Sequence, residues 1–489
     1  MKKILIILII GSILVSCSKN FLDISPKGDI YPETFFASAS DLEMAVTGVY
    51  AVFEDLYFFA SAQAYTTAGR DKTSKFNNVV EIDVFNTEGD NGELLRFWEY
   101  AYQAINACNA IINNYEDADA SETAKKKSAG QAHFLRGYVY FQLVRMYNEI
   151  PVYLSEEEVS SDMPLTGPQE VYDLIIEDLM IAEDYLPGNW DDDSKRAGVA
   201  VTNGAAKSLL AYVYLSMAGY PLNDASKYAL SASKAKEVID NAGTWGYDLM
   251  DDIADLYSKE YNYENKACDE VVLAFHNDNS WGCPLCGLPG EYGGWDVVYA
   301  DLNFFKSYPE GPRKDAIFMW EFPFENGDTL NYTELRSKHP YFKQYWDGKM
   351  DWEKPWEGFH WKNSRPQVAL THSNNLLVYA EAKAMSGSPD ASAYDAINQV
   401  RNRAGLPDLT SGLSQTAFRD SVVQERAWEF CGNYFCTDPW YDLVRLERVE
   451  ASVLERDPSE NQIVNQPTKD HYFAPYPSVD GVKNPNLSN

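Results

Sequence analysis

The residues most able to do chemistry in this sequence are cysteines, histidines and carboxylates. Cys283 and Cys286 have the spacing of a redox motif or of half a zinc site. A structural zinc site needs a second pair of ligands at similar spacing, and none follows, so a local disulfide or two free thiols is the preferred interpretation. Cys431 and Cys436 leave the same alternatives open, because the pairing of cysteines is not encoded in their spacing alone.

The short motifs that mark common catalytic sites are absent from the sequence. It has no Gly-x-Ser-x-Gly, no His-Glu-x-x-His, no phosphate-binding loop and no Gly-x-Gly-x-x-Gly, and its six histidines stand singly. Carboxylates are abundant, but a glycosidase needs two of them facing each other across a sugar, so glycoside hydrolysis remains an alternative hypothesis. No cofactor or metal is predicted; acidic loops could hold calcium, but it is not predicted, because no loop has EF-hand spacing.

The N-terminal sequence predicts an export signal that ends at a lipid-modified cysteine. Two lysines precede a twelve-residue apolar run, 4–15. This run is shorter than the roughly 20 residues that a membrane-spanning helix needs. It ends in Leu-Val-Ser-Cys, which resembles a bacterial lipobox, so residues 1–16 are expected to be removed and Cys17 to carry the lipid. Several acyl chains on one cysteine anchor firmly, so residues 17–40 are expected to tether a soluble body to the membrane.

Charge and composition restrict the class of ligand. The chain has 489 residues, with 41 Lys and Arg against 73 Asp and Glu, and a net charge of −32. Such a surface repels nucleic acid phosphates and anionic lipid headgroups, so neither is expected as a partner. Aromatic residues make up 14% of the chain. Tyr and Trp suit contact surfaces because each combines an apolar face with a polar tip.

Helical periodicity dominates residues 41–246. Asp41 is the predicted cap of the first helix, and Ser121 caps a long helix that is expected to stop before Pro151. A later helix is expected to end at Gly243. Paired helices of this length are similar to tetratricopeptide units, in which each pair buries its apolar face against the next.

The sequence pattern changes in residues 247–365, which have little periodicity and are rich in Trp, Tyr, Gly and Pro. One short strand is predicted within residues 270–278, and the remainder is expected to form loops. Helices return in residues 366–489, before a tail that contains several prolines. We therefore expect a mostly α-helical frame, a long loop-rich insertion with a few short strands, and closing helices, all packed into one compact body over residues 17–489.

Several blocks of this sequence resemble one protein family. Residues 17–30 are similar to the mature start of SusD/RagB lipoproteins, the nutrient-binding outer-membrane proteins of Bacteroidetes. Residues 132–153 are close to that family's most recognisable helix, and residues 375–409 look like its second signature. Residues 424–430, followed by 440–447, resemble the third. The blocks lie in family order across almost the whole chain, which is therefore identified as a member.

The resemblance implies a right-handed superhelical frame with four tetratricopeptide-like units, and no catalysis. It also implies a surface-exposed outer-membrane lipoprotein that captures an oligosaccharide noncovalently and delivers it to a SusC-like TonB-dependent transporter. The chain departs from the family where Glu-Gly-x-Arg usually precedes the last block, since Cys431 and Cys436 occupy that stretch. A scaffolding or peptide-binding lipoprotein is a further alternative.

Ligand contacts are expected from loops, because loops carry binding residues on a rigid scaffold. Aromatic rings meet the flat C–H faces of sugars, and Arg, Asn and Asp meet their hydroxyls. Two segments are similar in position to loops that line the glycan site in the family. The candidate contacts are Tyr65, Arg70, Asp71 and Asn77 in the first segment, and Trp281, Tyr292 and Trp295 in the second. Residues 350–361 are a weaker candidate surface.

The charged residues of the signature blocks are expected to pair with buried partners instead of touching a sugar. They are Arg145, Glu381, Arg401, Arg403, Arg426 and Arg445. Trp98 and Trp428 lie within helical patterns and are expected to belong to the core.

Overall fold

The structure is a computed structural model. The residues it describes are 36–58, 70–75, 77–191, 198–257, 268–276, 287–324, 326–343, 366–433 and 437–487. Several predictions fall outside these ranges, namely those for the signal and most of the tether, Cys17, Tyr65, Trp281, Cys283, Cys286, Cys436 and residues 350–361.

Helices form most of the described chain. In chain order they are α1 Ala39–Phe58, α2 Asn77–Asp83, α3 Gly92–Asn114, α4 Glu122–Tyr147, α5 Pro168–Tyr185, α6 Asn203–Met217, α7 Lys227–Trp245, α8 Leu302–Ser307, α9 Pro312–Ile317, α10 His372–Ser386, α11 Ala391–Arg403, α12 Gln415–Glu429, α13 Pro439–Arg445, α14 Val449–Val453 and α15 Ser478–Lys483. None of these helices combines the length and apolar character needed to cross a bilayer.

Two helix starts show how the local sequence sets a boundary. The cap at Ser121 is confirmed, since its hydroxyl accepts a hydrogen bond from the backbone N–H of Ala124. The cap predicted at Asp41 is wrong, because α1 begins earlier, at Ala39. The hydroxyl of Ser38 accepts from the N–H of Asp41, so a serine takes the capping position and Asp41 lies in the first turn.

Two helix ends give one confirmation and one correction. Helix α4 ends at Tyr147, before Pro151, as predicted. Helix α7 does not end at Gly243 but continues to Trp245. Its end is set by Gly246, which adopts φ 75° and donates its N–H to the carbonyl of Ala242. Glycine ends a helix where a left-handed conformation is needed, and only the second glycine meets that condition.

The long helices pack in sequence order, each against its neighbour. Helix α3 contacts α4, α4 contacts α5, α5 contacts α6, and α6 contacts α7. Helix α7 then packs against α10, which in turn contacts α11 and α12. The first and last helical parts therefore share one core, to which Phe134, Tyr212, Leu377 and Phe418 all contribute fully buried side chains. Trp98 is buried in this core, and Trp428 is partly buried against a neighbouring cluster.

Among the described residues, four short antiparallel strand pairings form within the insertion or join it to the segments around it. The strands are β1 Lys72–Thr73, β2 Val271–Phe275, β3 Tyr299–Ala300, β4 Phe318–Met319, β5 Glu321–Pro323, β6 Thr329–Asn331, β7 Tyr341–Phe342 and β8 Gln367–Thr371. Strand β1 pairs with β3, β2 with β8, β4 with β7, and β5 with β6. Strand β2 confirms the strand predicted within residues 270–278. Its pairing with β8 joins the start of the insertion to the segment that leads into α10.

Buried ion pairs connect the closing helices. The guanidinium of Arg445 donates to both carboxylate oxygens of Glu381, at 2.6 and 2.7 Å, and to Asp442 at 2.7 Å. Arg426 donates to the other oxygen of Asp442 at 2.8 Å. Burial alone would raise the pKa of Asp442, but these two arginines hold it below its usual value. A bidentate arginine contact of this kind fixes the relative position of α10, α12 and α13.

The remaining signature charges are also paired within the protein. Arg403 contacts Glu270 and Glu429, and Arg401 contacts Glu425 at 2.9 Å. The guanidinium of Arg145 lies over the rings of Phe141 and Tyr441, at 3.9 and 3.8 Å from their centroids. The structure confirms that the signature charges have partners within the protein. The residues concerned are Arg145, Glu381, Arg401, Arg403, Arg426 and Arg445.

Candidate functional site

The structure brings together the two loop segments that the sequence singled out. Strands β1 and β3 pair in antiparallel register, with Lys72 opposite Ala300 and Thr73 opposite Tyr299. The hydroxyl of Ser74 donates to the carbonyl of Val297, which extends the contact beyond the strands. Residues more than two hundred positions apart in the sequence therefore form one local structure.

The direction of this pairing separates the candidate residues into two groups. Because the strands are antiparallel, residues after Thr73 approach residues before Tyr299. Asn77 therefore lies toward the end that carries Trp295, whereas Arg70 and Asp71 lie toward the opposite end. Asn77 is the first residue of α2, and its side chain is outside the described part of the structure.

Asp71 is placed inside the protein, not at the surface. Its carboxylate is fully buried, lies 3.1 Å from the ammonium of Lys72, and accepts the backbone N–H of Gly432 at 2.8 Å. Lys72 is itself buried and pairs with Asp438 as well. A buried charge needs such partners, since removing it from water is costly. We therefore assign Asp71 a structural role, in contrast to the expected ligand contact.

Arg70 is largely committed to protein contacts at the same end. Its Nη2 donates to Gln424 at 2.6 Å, and its Nε lies 3.6 Å from the carboxylate of Glu455. The guanidinium also lies over the ring of Phe304. The side chain is 21% exposed, so it reaches the surface, where its contacts are with Gln424, Glu455 and Phe304.

The two aromatic candidates of the second loop have different positions. Tyr292 is 8% exposed, its hydroxyl donates to the carbonyl of Pro323, and its ring packs against Phe322 and Phe324. Burial raises the pKa of its hydroxyl well above the usual range. Trp295 is 44% exposed and is the one tryptophan among the large exposed apolar residues of the described chain. Tyr292 therefore supports the loop, and Trp295 presents a surface.

The loop that carries Trp295 closes on itself. The N–H of Asp296 donates to the carbonyl of Leu288 at 3.2 Å, and the N–H of Gly294 donates to that of Pro289 at 3.0 Å. A Cβ at Gly294 would overlap the carbonyl group of Leu288, so only glycine permits this approach. The backbone on both sides of Trp295 is thereby fixed before any ligand arrives.

Asp296 connects this loop to two other segments. Its carboxylate accepts the backbone N–H of Gly290 at 2.9 Å, the hydroxyl of Tyr341 and the guanidinium of Arg336. Asp296 has φ 53°, a left-handed conformation that Asp tolerates better than most residues. The residue directly after Trp295 is therefore held from three sides.

Arg336 is the functional candidate that the sequence analysis missed. Its side chain is 72% exposed, its Nε lies 3.1 Å from Asp296, and its backbone N–H donates to Glu291 at 2.6 Å. Its hydrogen bonds and ion pair within the described residues use the backbone N–H, Nε and Nη2, and the Nη1 group of this exposed side chain takes part in none of them. Asp296 raises the pKa of this guanidinium further. No motif marks Arg336, because it lies 40 positions from its partner in the sequence.

The described residues offer no metal centre and no reactive thiol at this surface. No cluster of three or more His, Cys, Asp or Glu side chains suited to a metal occurs among them. Cys108, Cys268 and Cys431 are free, and burial raises the pKa of Cys268 to about 11. The arrangement is instead an exposed indole whose sequence neighbour, Asp296, binds the guanidinium of Arg336, and an aromatic face with N–H donors suits a ligand with flat apolar faces and hydroxyl groups.

Comparison with known proteins identifies the family. A family model described as "Starch-binding associating with outer membrane", of SusD-like type, matches residues 20–215, and a model described as "SusD family" matches residues 312–489. The first match covers most of the first helical part, and the second covers all of the closing part. The chain belongs to the SusD/RagB family, as the sequence blocks predicted.

Individual relatives support the same conclusion. SusD-like protein P2 of Formosa agariphila is 26% identical over 523 aligned positions, covering 97% of this chain and 96% of that protein. The crystal structure of a SusD homolog from Bacteroides thetaiotaomicron has a TM-score of 0.75 at 19% identity and covers 94% of this chain and 97% of its own. Surface glycan-binding protein A from Bacteroides uniformis has a TM-score of 0.74 at 20% identity, with coverages of 92% and 98%. These similarities confirm the predicted mostly helical, SusD-like fold.

Proposed function

We propose that this protein binds an oligosaccharide noncovalently at the cell surface and delivers it to a SusC-like TonB-dependent transporter. Membership of the SusD/RagB family supports this proposal, as does the glycan binding for which the Bacteroides uniformis protein of the same fold is named. The family resemblance and the predicted lipid tether at Cys17 support the proposed delivery to a transporter.

The observation that carries the proposal is the exposed indole of Trp295 on a closed, cross-linked loop. An aromatic side chain that is partly exposed normally costs free energy by keeping apolar surface in water. A loop that nevertheless holds it outward is pre-organised, so little conformational entropy is lost when a sugar ring stacks on it. Arg336 lies beside it and can donate hydrogen bonds to sugar hydroxyls.

We propose that the protein has no catalytic turnover. Its proposed chemistry is stacking on Trp295 and hydrogen bonding from Arg336. The glycosidase alternative predicts that purified protein releases reducing sugar from the glycan it binds. A reducing-sugar assay on the same glycans therefore separates the two functions, and release that depends on a carboxylate at this surface would favour the alternative.

Substitution of Trp295 by alanine is the direct test of the binding site. A tryptophan at the centre of an interface typically contributes about 2 kcal/mol or more, so affinity for a bound glycan should fall about 30-fold. Met180→Ala is the matched control, since Met180 is also an exposed large apolar residue but lies on α5. Both variants should unfold like the wild type, because exposed substitutions change stability little. Unchanged affinity of a folded Trp295→Ala protein would contradict this placement.

The proposed location has its own test. The family model that matches residues 20–215 is described as associating with the outer membrane, which supports a lipid anchor there. Replacing Cys17 by alanine should release the protein from the outer-membrane fraction. Protease treatment of intact cells should digest the wild-type protein if it faces outward, and complete protection would contradict surface exposure.

A further inference from the structure

We infer that the glycan bound beside Trp295 is uncharged, and that chains bearing uronate or sulfate groups are excluded. This inference rests on the proposed function, because it specifies the class of ligand for that same surface. It is based on the charges around Trp295 and on the carboxylates of Asp296 and Glu291, which already bind Arg336.

The exposed cation beside Trp295 is already neutralised. The guanidinium of Arg336 donates through Nε and Nη2 to one carboxylate oxygen of Asp296. Its backbone N–H is bound to the carboxylate of Glu291, which brings a second negative charge to the same arginine. An arginine that recruits an anionic ligand normally offers its planar fork to that ligand. Here the Nε side of the fork is occupied by Asp296, so a ligand carboxylate would have to compete with it.

The adjoining hairpin adds further negative charge. Strand β5, which pairs with β6, packs on Tyr292 through Phe322, and the hydroxyl of Tyr292 donates to Pro323. The hairpin and the turn after it carry exposed carboxylates at Glu321, Asp328 and Glu334. With the exposed Glu291 and the partly buried Asp296, these carboxylates outnumber the exposed cations of residues 287–300 and 318–338, which are Arg336 and Lys338.

The charge of the whole chain acts in the same direction. A net charge of −32 produces a negative potential that opposes the approach of a polyanion. Two like charges about 4 Å apart in water repel by about 1 kcal/mol, so each such contact should weaken binding about fivefold. A polymer with a charge on each sugar meets several such contacts, whereas a neutral polymer meets none.

The same surface has what a neutral sugar needs. Trp295 offers an apolar face, and Arg336 keeps its Nη1 donors for hydroxyl or ring oxygens. Hydrogen bonds to neutral hydroxyls do not require Arg336 to leave Asp296. Binding can therefore occur without breaking the contacts that hold the loop.

The test compares one polysaccharide backbone in charged and uncharged forms. Amylose, a β-1,3-glucan, xyloglucan and galactomannan are each used unmodified, carboxymethylated and hydroxyethylated. The hydroxyethyl group is a neutral substituent of similar size, so it separates charge from bulk. Binding to the full-length lipoprotein in detergent is measured by biolayer interferometry at low and high salt.

We expect at least one unmodified polysaccharide to bind. Its hydroxyethyl form should bind with similar affinity, and its carboxymethyl form should bind with about tenfold lower affinity at low salt. High salt should reduce that difference, because it screens exposed charges. Equal or tighter binding of the carboxymethyl form, or of polygalacturonate or alginate, would overturn the inference and leave the proposed function intact. Absence of binding to every polymer would overturn the proposed function itself.

A charge-reversal pair locates the effect. Glu291→Lys should raise affinity for the carboxymethyl form about tenfold, because it removes a carboxylate next to Arg336 and adds a cation. Glu156→Lys is the control, since Glu156 is also exposed but lies in the helical part of the chain. Equal effects of the two variants would show that only the overall charge matters and would overturn a local origin at Trp295.

Discussion

Replacing Gly294 by alanine tests whether the closed loop, and not merely an exposed tryptophan, forms the binding surface. The added Cβ would overlap the carbonyl of Leu288, which is backbone and cannot rotate away. Relief requires separation of the two sides of the loop and loss of the hydrogen bonds from Asp296 to Leu288 and from Gly294 to Pro289. Each is worth about 1 kcal/mol, so the closed conformation should lose about 2 kcal/mol or more.

Gly243→Ala provides a matched glycine control. Gly243 lies within α7, and nothing occupies the space that its Cβ would enter. Alanine is preferred to glycine inside a helix by about 0.5–1 kcal/mol, so this variant should be slightly more stable than the wild type. Both variants add one methyl group, and only one of them changes the loop.

The assay combines hydrogen exchange with a glycan titration. Gly294→Ala should increase amide exchange in peptides that cover residues 287–300 and weaken glycan binding at least tenfold, because Trp295 is no longer held in place. Helices α3 to α7 should keep their exchange rates, since Leu288 and Tyr292 of the loop belong to a hydrophobic cluster separate from the main core. Wild-type exchange and affinity in Gly294→Ala would refute the argument that loop closure positions Trp295.

Two further predictions concern stability. Arg445→Met should lower the free energy of unfolding by about 3–5 kcal/mol, because it removes the arginine that pairs with the buried Glu381 and Asp442. The control, Lys236→Met, breaks an exposed ion pair and should lower the free energy of unfolding by less than about 1 kcal/mol. Urea denaturation measures both changes. Asp301 has a pKa raised to about 7, chiefly by burial, so the folded state holds its proton more tightly than the unfolded state. Its stabilising contribution is therefore present below about pH 4 and lost as pH rises to about 7. Asp301→Asn should reduce the decline in unfolding free energy over that range, and an identical pH profile would contradict the assignment.

The helical frame and the family were accessible from the sequence because both depend on local or ordered signals. Periodicity and capping residues determine helices within a few turns of chain, as at Ser121. The errors at Asp41 and Gly243 arose where two neighbouring residues were both able to form the boundary. Which of them does so depends on backbone geometry that composition does not specify.

The candidate site was only partly accessible, because its residues are assembled by distant contacts. The sequence located both loops, but not the pairing of β1 with β3 that joins them. The sequence placed Asp71 in a loop as a ligand contact. In the structure it is buried beside Lys72, which also pairs with Asp438 far along the chain. Arg336 has no local signature, and its role follows from contacts with Asp296 and Glu291.

Mapping the bound glycan by hydrogen exchange tests the central claim most directly. The full-length lipoprotein is compared with and without a saturating neutral polysaccharide that it binds. We predict that protection is concentrated in peptides covering residues 287–300 and 333–338, which carry Trp295 and Arg336, and is lost in Trp295→Ala. Protection confined to the helices α3 to α7, with no change around Trp295, would contradict the proposed site.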